Sequence, residues 1–309
     1  MPKSDDVSHS RRHLVSGLGV TLGAAAVVGP AFAAPALAAA SSDRSSEASS
    51  LPAERPLMAG RLRQSVARWC FARTPIHDLC REARRIGLVG IDLLGPEEWS
   101  IPAQYGLECT MGNSWGSIPV GFNRIEHQDK LVSDGAPYIA RAAAAGVKRI
   151  VVFSGNRNGL ADREGIANCI AGLKRLMPVA EQHGVVLCME MLNSKVDHKD
   201  YHADHTAWAV AVAEGVNSPS FRLLYDIYHM QVMEGDVIAT IGRAWPWIAH
   251  FHTAGVPGRH EIGDAQELNY RAIARAIADR GYEGVFAHEF MPEKAGFGTL
   301  EEAVRICTV

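Results

Sequence analysis

The sequence predicts a single-domain (β/α)₈ barrel, and three features carry that prediction. Eight short, β-prone apolar runs alternate with helical segments between about residues 61 and 309. The first run leads into Ala72-Arg73-Thr74-Pro75 rather than a Gly-x-Gly-x-x-Gly turn, so a doubly wound open sheet would lack its usual phosphate-binding loop. The last four runs each end at or near an acid or imidazole: Glu190, Asp226, His252 and Glu289, separated by 36, 26 and 37 residues. Each gap is about one strand-plus-helix unit.

In chain order, residues 64–71 (QSVARWCF) read as the first strand. Thr74-Pro75 offers a helix cap followed by proline in the first turn, and the amphipathic helix behind it stops at Gly87. Residues 89–95 (VGIDLLG) form the second strand and 107–113 (LECTMGN) the third, with a Gly/Ser/Asn loop after it. An Ala-rich helix covers about 127–145 and the fourth strand 148–155. One long helix is expected over 162–183, with Gly184 as its C-terminal cap. The fifth strand, GVVLCMEMLN, is followed by the loop SKVDHKDYHADH, with Asp204 as the expected N-cap of helix TAWAVAVAEG. The sixth strand is FRLLYDIYH, with a helix near 235–243. The seventh is WIAHFHTAG, with a long loop over 256–268 and a helix over 269–280. The eighth is GVFAHEF, with a closing helix near 299–306.

Residues 1–40 read as an export signal. Ser10-Arg11-Arg12-His13-Leu14-Val15 is a twin-arginine pattern, the Gly/Ala-rich segment behind it is weakly apolar, and Ala31-Phe32-Ala33 and Ala36-Leu37-Ala38 are small-residue cleavage signals. The apolar segment is too short and too broken by Gly and Pro30 for a membrane anchor. Residues 41–60 are rich in Ser, Pro and charge and read as a flexible linker. The expected location is therefore periplasmic or otherwise extracytoplasmic, with the twin-arginine export machinery as a partner.

The net charge of −3, with no run of Lys or Arg, argues against a nucleic-acid partner. None of the six cysteines forms a Cys-x-x-Cys pair. Cys70, Cys109 and Cys188 lie within apolar runs, which favours small buried hydrophobes over disulfides.

Alternation along a barrel strand sets what lies beneath each strand-end group. With Glu190 inward, Cys188 and Val186 line the interior; Leu224 lies below Asp226, and Ala287 and Val285 below Glu289. His252 has His250 beneath it, which requires either a hydrogen bond within the interior or a bulge in the seventh strand. Three carboxylates cannot converge unpaired at neutral pH, because mutual repulsion and burial raise their pKa values. A divalent cation resolves the conflict. Three oxygen donors and one imidazole suit Mn²⁺ or Mg²⁺ best, with Co²⁺ and Zn²⁺ as alternatives. The plainer reading is four unrelated residues bonding to loops, and four consecutive strands make it the weaker one.

The segments LLYDIYHMQVMEGD, HFHTAGVPGRHE, ELNY and HEFMP resemble the hydroxypyruvate isomerase family of xylose isomerase-like TIM barrels, strongly from about Gly184 to Pro292. The resemblance implies one divalent metal ion on Glu190, Asp226, His252 and Glu289. It implies proton transfer by Glu190 and Glu289, and substrate contacts from His229 and Arg259. His252 stands where the best-known isomerases carry Gln and where related ketose 3-epimerases carry His, and the DHKDYHADH loop is unlike that of the isomerases.

Trp115, flanked by Gly and Ser, is a candidate to cap a sugar face, and Glu261 a candidate to orient Arg259 or a ligand. His198, His202 and His205 with Asp197, Asp200 and Asp204 have spacing for a second metal, but such a run is more often a solvated loop. His288 should face the helices in a structural role. The leading expectation is an exported, metal-dependent aldose–ketose isomerase converting hydroxypyruvate to tartronate semialdehyde. The alternatives are a ketose 3-epimerase or related sugar-modifying enzyme on the same site, and a non-catalytic exported sugar-binding protein. A homo-oligomer is left open. An apurinic endonuclease would need zinc ligands on the early strands and a basic groove, and strands one to four offer no inward His.

Overall fold

Parallel ladders build the barrel from short strands, most of whose residues are buried on both faces. The structure, a computed structural model, describes residues 60–309; the expected export signal and all but the last residue of the linker lie outside the described residues. The strands are β1 Arg63–Ala67, β2 Gly90–Asp92, β3 Glu108–Cys109, β4 Arg149–Val152, β5 Val186–Glu190, β6 Phe221–Asp226, β7 Ile248–Thr253 and β8 Val285–His288. All neighbours pair in parallel in the order β3-β2-β1-β8-β7-β6-β5-β4. Gly112 joins the two ends: its N–H donates to the Arg149 carbonyl at 2.8 Å and its carbonyl accepts from Val151 N at 3.0 Å. It also bridges to Leu94, so the eight strands close as expected.

The helices outside this ring are α1 Ile76–Ile86, α2 Ile125–Ala144, α3 Asp162–Lys174, α4 Met177–His183, α5 Thr206–Val216, α6 Ile227–Met233, α7 Val237–Ala244, α8 Tyr270–Ala278 and α9 Gly298–Cys307. Apolar side chains between ring and helices form the larger core, including Leu79, Ile91, Ile150, Leu223, Phe251, Phe286 and Val304. Inside the ring, Ala67, Leu93, Met111, Val151, Cys188 and Leu224 fill the barrel beneath the mouth. Cys188 and Leu224 are thus where alternation put them. All six cysteines are free thiols, four of them fully buried. Among the described residues no helix is long and apolar enough to cross a membrane.

Four local expectations are corrected. The long helix over 162–183 is two helices, because Pro178 has no N–H to give to the Lys174 carbonyl and its ring crowds that carbonyl. The first strand ends at Ala67, and Arg68–Phe71 form a 3₁₀ turn. The sixth strand ends at Asp226, whose side chain accepts from His229 N at 3.1 Å and so starts α6. Asp204 does not cap α5; the Thr206 N–H is taken by Glu234 Oε1 at 2.7 Å.

Strand β7 satisfies both accounts of the stacked histidines. Leu223 pairs with Ile248 and Leu224 with His250, so Ala249 is an extra residue in β7. From His250 onward the register is continuous, so His250 and His252 share one side by alternation, and His250 bonds to Asp92 inside the barrel.

Candidate metal centre and active site

Four consecutive strands, β5 to β8, deliver Glu190, Asp226, His252 and Glu289 to the C-terminal mouth of the barrel. One ligand atom from each lies within 4.8 Å of the other three. His252 Nδ1 is central, 3.0 Å from Glu190 Oε1 and 3.0 Å from Glu289 Oε2. The four residues are only 5 %, 1 %, 0 % and 3 % exposed, so water does little to separate their charges.

Glu289 and His252 are each held by neighbours from other elements. Glu289 Oε1 accepts from Trp69 Nε1 at 2.6 Å, and its Oε2 accepts from Arg259 at 2.8 Å. The Arg259 guanidinium lies between two rings, 5.1 Å from the Trp69 centroid and 5.6 Å from that of Tyr228. Arg259 has a left-handed backbone, φ 61°, after the turn at Gly258. His252 Nε2 meets Asp92 Oδ2 at 2.7 Å. Asp92 also accepts from the Thr110 hydroxyl at 2.6 Å.

His229 is oriented by Asn193. The Asn193 carbonyl oxygen accepts from Val196 N and Asp197 N, both at 3.0 Å, which places its NH₂ toward His229 Nδ1 at 2.7 Å and Asp197 Oδ2 at 2.6 Å. His229 Nδ1 is therefore an acceptor, and a neutral ring carries its proton on Nε2. That Nε2 is buried without a partner, 3.7 Å from Asp226 Oδ2, which is also buried and unpartnered.

The charges conflict as three converging carboxylates should. Burial and then the charge of Glu289 push Asp226 up to about 8, and burial raises Glu190. Glu289 is held well below the carboxylate range: burial opposes this, but the positive charges of His252 and Arg259 outweigh it. His252 is driven well above the usual imidazole value; burial opposes, and Glu289 with the bonds to Asp92 and Glu190 wins. Burial and then Arg259 hold His229 well below its usual value, hence neutral. The orphaned Asp226 Oδ2, the raised carboxyls and the donor set of three oxygens and one nitrogen all fit a divalent cation.

Beside this group opens a cavity of 460 Å³, lined by Trp69, Asn113, Ser117, Phe153, His198 and Arg259 among others, with Glu190 and Glu289 in its wall. It is in the size range of pockets that take ligands larger than a three-carbon acid.

A family model described as xylose isomerase-like TIM barrel matches residues 101–307. The chain belongs to the xylose isomerase-like TIM barrel family. A putative hydroxypyruvate isomerase from Homo sapiens is 28% identical over 230 residues, covering 72% of this chain and 77% of that one. The hydroxypyruvate isomerase of Escherichia coli (strain K12) is 27% identical, covering 69% and 86%. A 2-oxo-tetronate isomerase of Cupriavidus necator is 32% identical, covering 52% and 62%. By sequence the chain stands among isomerases of this family. Two solved structures share the fold: a D-psicose 3-epimerase in the presence of D-fructose, TM-score 0.62 at 15% identity, covering 79% and 90%, and the IOLI protein with a bound zinc atom, TM-score 0.62 at 16% identity, covering 80% and 95%.

Within this member of the family, the structure brings Glu190, Asp226, His252, Glu289, His229 and Arg259 together, but not Trp115 or Glu261. Trp115 turns its indole away from the mouth, donating to the Leu131 carbonyl at 2.8 Å. Its ring lies on Gly135 of α2, where a Cβ would sit 2.5 Å from it. Glu261 accepts from Glu293 N at 2.8 Å and has no bond to Arg259. The histidines of the β5 loop do not converge: His198 lines the cavity, while His202 bonds to Asn123 and Asp162, and His205 to Asp204. His288 is structural, between Thr253 Oγ1 at 3.1 Å and Gln64 Oε1 at 2.9 Å. Sequence reasoning missed Asp92, Trp69 and Asn193. Only Asp92 carried a signal, a lone acid within the apolar run VGIDLLG.

Proposed function

We propose that this chain is a metal-dependent aldose–ketose isomerase for a small hydroxy-ketone, hydroxypyruvate to tartronate semialdehyde being the leading reaction. The observation that carries the reading is the convergence of two buried glutamates from opposite ends of a four-strand arc onto one imidazole nitrogen. Glu190, Asp226, His252 Nδ1 and Glu289 would hold one divalent ion, Mn²⁺ or Mg²⁺ first and Co²⁺ or Zn²⁺ as alternatives. Such an ion, when bound, supplies Lewis acidity toward the carbonyl and the adjacent hydroxyl of the substrate.

The protein groups do the rest. Glu289, fixed on one oxygen by Trp69 and on the other by Arg259, is placed to take the proton next to the carbonyl. Glu190 faces it across the arc and serves the return of a proton to the neighbouring carbon. His229, whose Nε2 lies 3.7 Å from Asp226 Oδ2, would offer its N–H to a substrate oxygen beside the ion, and Arg259 adds positive charge at the cavity wall. Phe153, Leu192 and Val151 keep water from one side of the cavity.

The second reading is a ketose 3-epimerase, in which the proton returns to the other face of the same carbon. The 460 Å³ cavity favours it, since it exceeds what hydroxypyruvate fills. A panel of hydroxypyruvate, short ketoses and oxidised sugars, with Mn²⁺ or Mg²⁺ added and with chelator as control, tests both. Tartronate semialdehyde from hydroxypyruvate supports the first, and an epimeric ketose supports the second. Conversion of none of them by metal-loaded protein leaves a sugar-binding role.

A further inference from the structure

Under the proposed metal ligands lies a second, buried polar group from β2, the residue after β3, and β7: Asp92, Thr110, His250 and His252. We infer that Asp92 is a positioning residue that fixes His252 in the one tautomer able to present Nδ1 to a divalent ion. This rests on the metal site proposed above.

A neutral imidazole has one N–H and one lone pair. His252 Nδ1 faces the two glutamates, at 3.0 Å each, where the ion would bind. Nδ1 must therefore offer its lone pair, and Nε2 must carry the proton. A buried N–H needs an acceptor. Asp92 Oδ2, at 2.7 Å, is the acceptor that Nε2 meets. Asp92 itself is locked. The Thr110 hydroxyl donates to Oδ1 at 2.6 Å, and His250 Nε2 lies 3.1 Å from Oδ1 and 3.2 Å from Oδ2. Every group around this carboxylate can donate, so it has reason to remain an anion facing His252. His250 also packs edge-on against the His252 ring, with centroids 5.2 Å apart, which limits rotation. The result is a carboxylate–histidine pair behind a metal ligand, an arrangement that raises ligand basicity and sets ring orientation.

Asp92, His250 and His252 could themselves be read as metal ligands, since their donor atoms also lie within 4.8 Å of one another. That reading requires Nε2 to lose its proton while Nδ1 serves the glutamate side, so one ring would have to bind two cations. The short Thr110 bond also occupies Asp92 Oδ1, and the single-ion arrangement satisfies every donor without that demand.

The test uses full-length Asp92→Asn and Asp92→Ala proteins. Metal-free samples are titrated calorimetrically with Mn²⁺, and their melting is followed by circular dichroism. Histidine-¹⁵N-labelled, Zn²⁺-loaded samples are read by NMR. The expected result is an Mn²⁺ affinity lower by about ten- to a hundredfold in both variants. Wild type should show His252 with Nε2 protonated and Nδ1 on the ion, a pattern lost or mixed in the variants. A lower melting point with Mn²⁺ affinity within about threefold of wild type and the Nε2–H pattern intact assigns Asp92 to the fold alone and overturns the inference. Wild-type protein that binds no Mn²⁺ overturns the metal site, and this inference with it. If neither variant folds, Thr110→Val, which removes the hydroxyl donor from Asp92 Oδ1 without altering either histidine, carries the same reading. A loss of about two- to tenfold supports the inference, and an unchanged affinity overturns it.

Discussion

Glu289→Gln separates a base from a shape. Each oxygen of Glu289 faces donors: Trp69 Nε1 at 2.6 Å on Oε1, and Arg259 at 2.8 Å with His252 Nδ1 at 3.0 Å on Oε2. A carboxamide in the same place must point its NH₂ at one of these sets. One donor then opposes another in a buried site, at a cost of about 1–3 kcal/mol in stability. Arg259 would keep only Asp226, at 3.9 Å, as a carboxylate partner. The cavity is otherwise unchanged, so KM should stay within about tenfold, while kcat should fall by about 10²–10⁴, which is roughly 3–5 kcal/mol of barrier. The assay is steady-state turnover of the best substrate at saturating Mn²⁺, with metal content measured on the same samples. A variant with full metal occupancy and kcat within tenfold of wild type would falsify the assignment of Glu289 as a proton-transfer group.

Three further outcomes are expected. Asp226, raised to about 8, and His252, also raised, hold protons more tightly in the folded metal-free protein than in the unfolded chain. Mn²⁺ uptake at pH 7 should therefore release protons; calorimetry in buffers of different ionisation enthalpy checks this, and uptake with no proton release counts against it. Turnover in D₂O should place deuterium on the carbon next to the carbonyl, whereas unlabelled product would point to a hydride shift. Replacing Arg11 and Arg12 with Lys should hold the precursor in the cytoplasm, because the twin-arginine receptor reads the guanidinium pair; normal processing in a fractionation experiment would refute the export proposal.

The barrel and the cluster of four side chains at its mouth were legible because their signals are periodic. A buried parallel strand is an apolar run, and a charged residue that ends it must be aimed at something; Glu190, Asp226, His252 and Glu289 all obey this. Asp92 escaped because Leu93 and Leu94 follow it, so the run does not end at the acid. The chain instead bends there, with Leu93 at φ 53°. Trp69 escaped because residues 64–71 look like one strand, whereas the 3₁₀ turn from Arg68 puts the indole N–H on Glu289. Asn193 acts through loop bonds that no periodicity encodes. Trp115 and Glu261 lie on mouth loops, but which way a loop side chain turns depends on contacts made later. Gly135 of α2 offers the bare surface that takes the Trp115 ring.

The claim on which all of this stands is one divalent ion among four strand ends. The most direct measurement is anomalous diffraction from crystals equilibrated with Mn²⁺. The account predicts a single strong peak at the barrel mouth, about 2.0–2.4 Å from oxygens of Glu190, Asp226 and Glu289 and from Nδ1 of His252, with Nε2 still on Asp92. A peak elsewhere, or none at saturating Mn²⁺ with His252 still bonded to both glutamates, would contradict it.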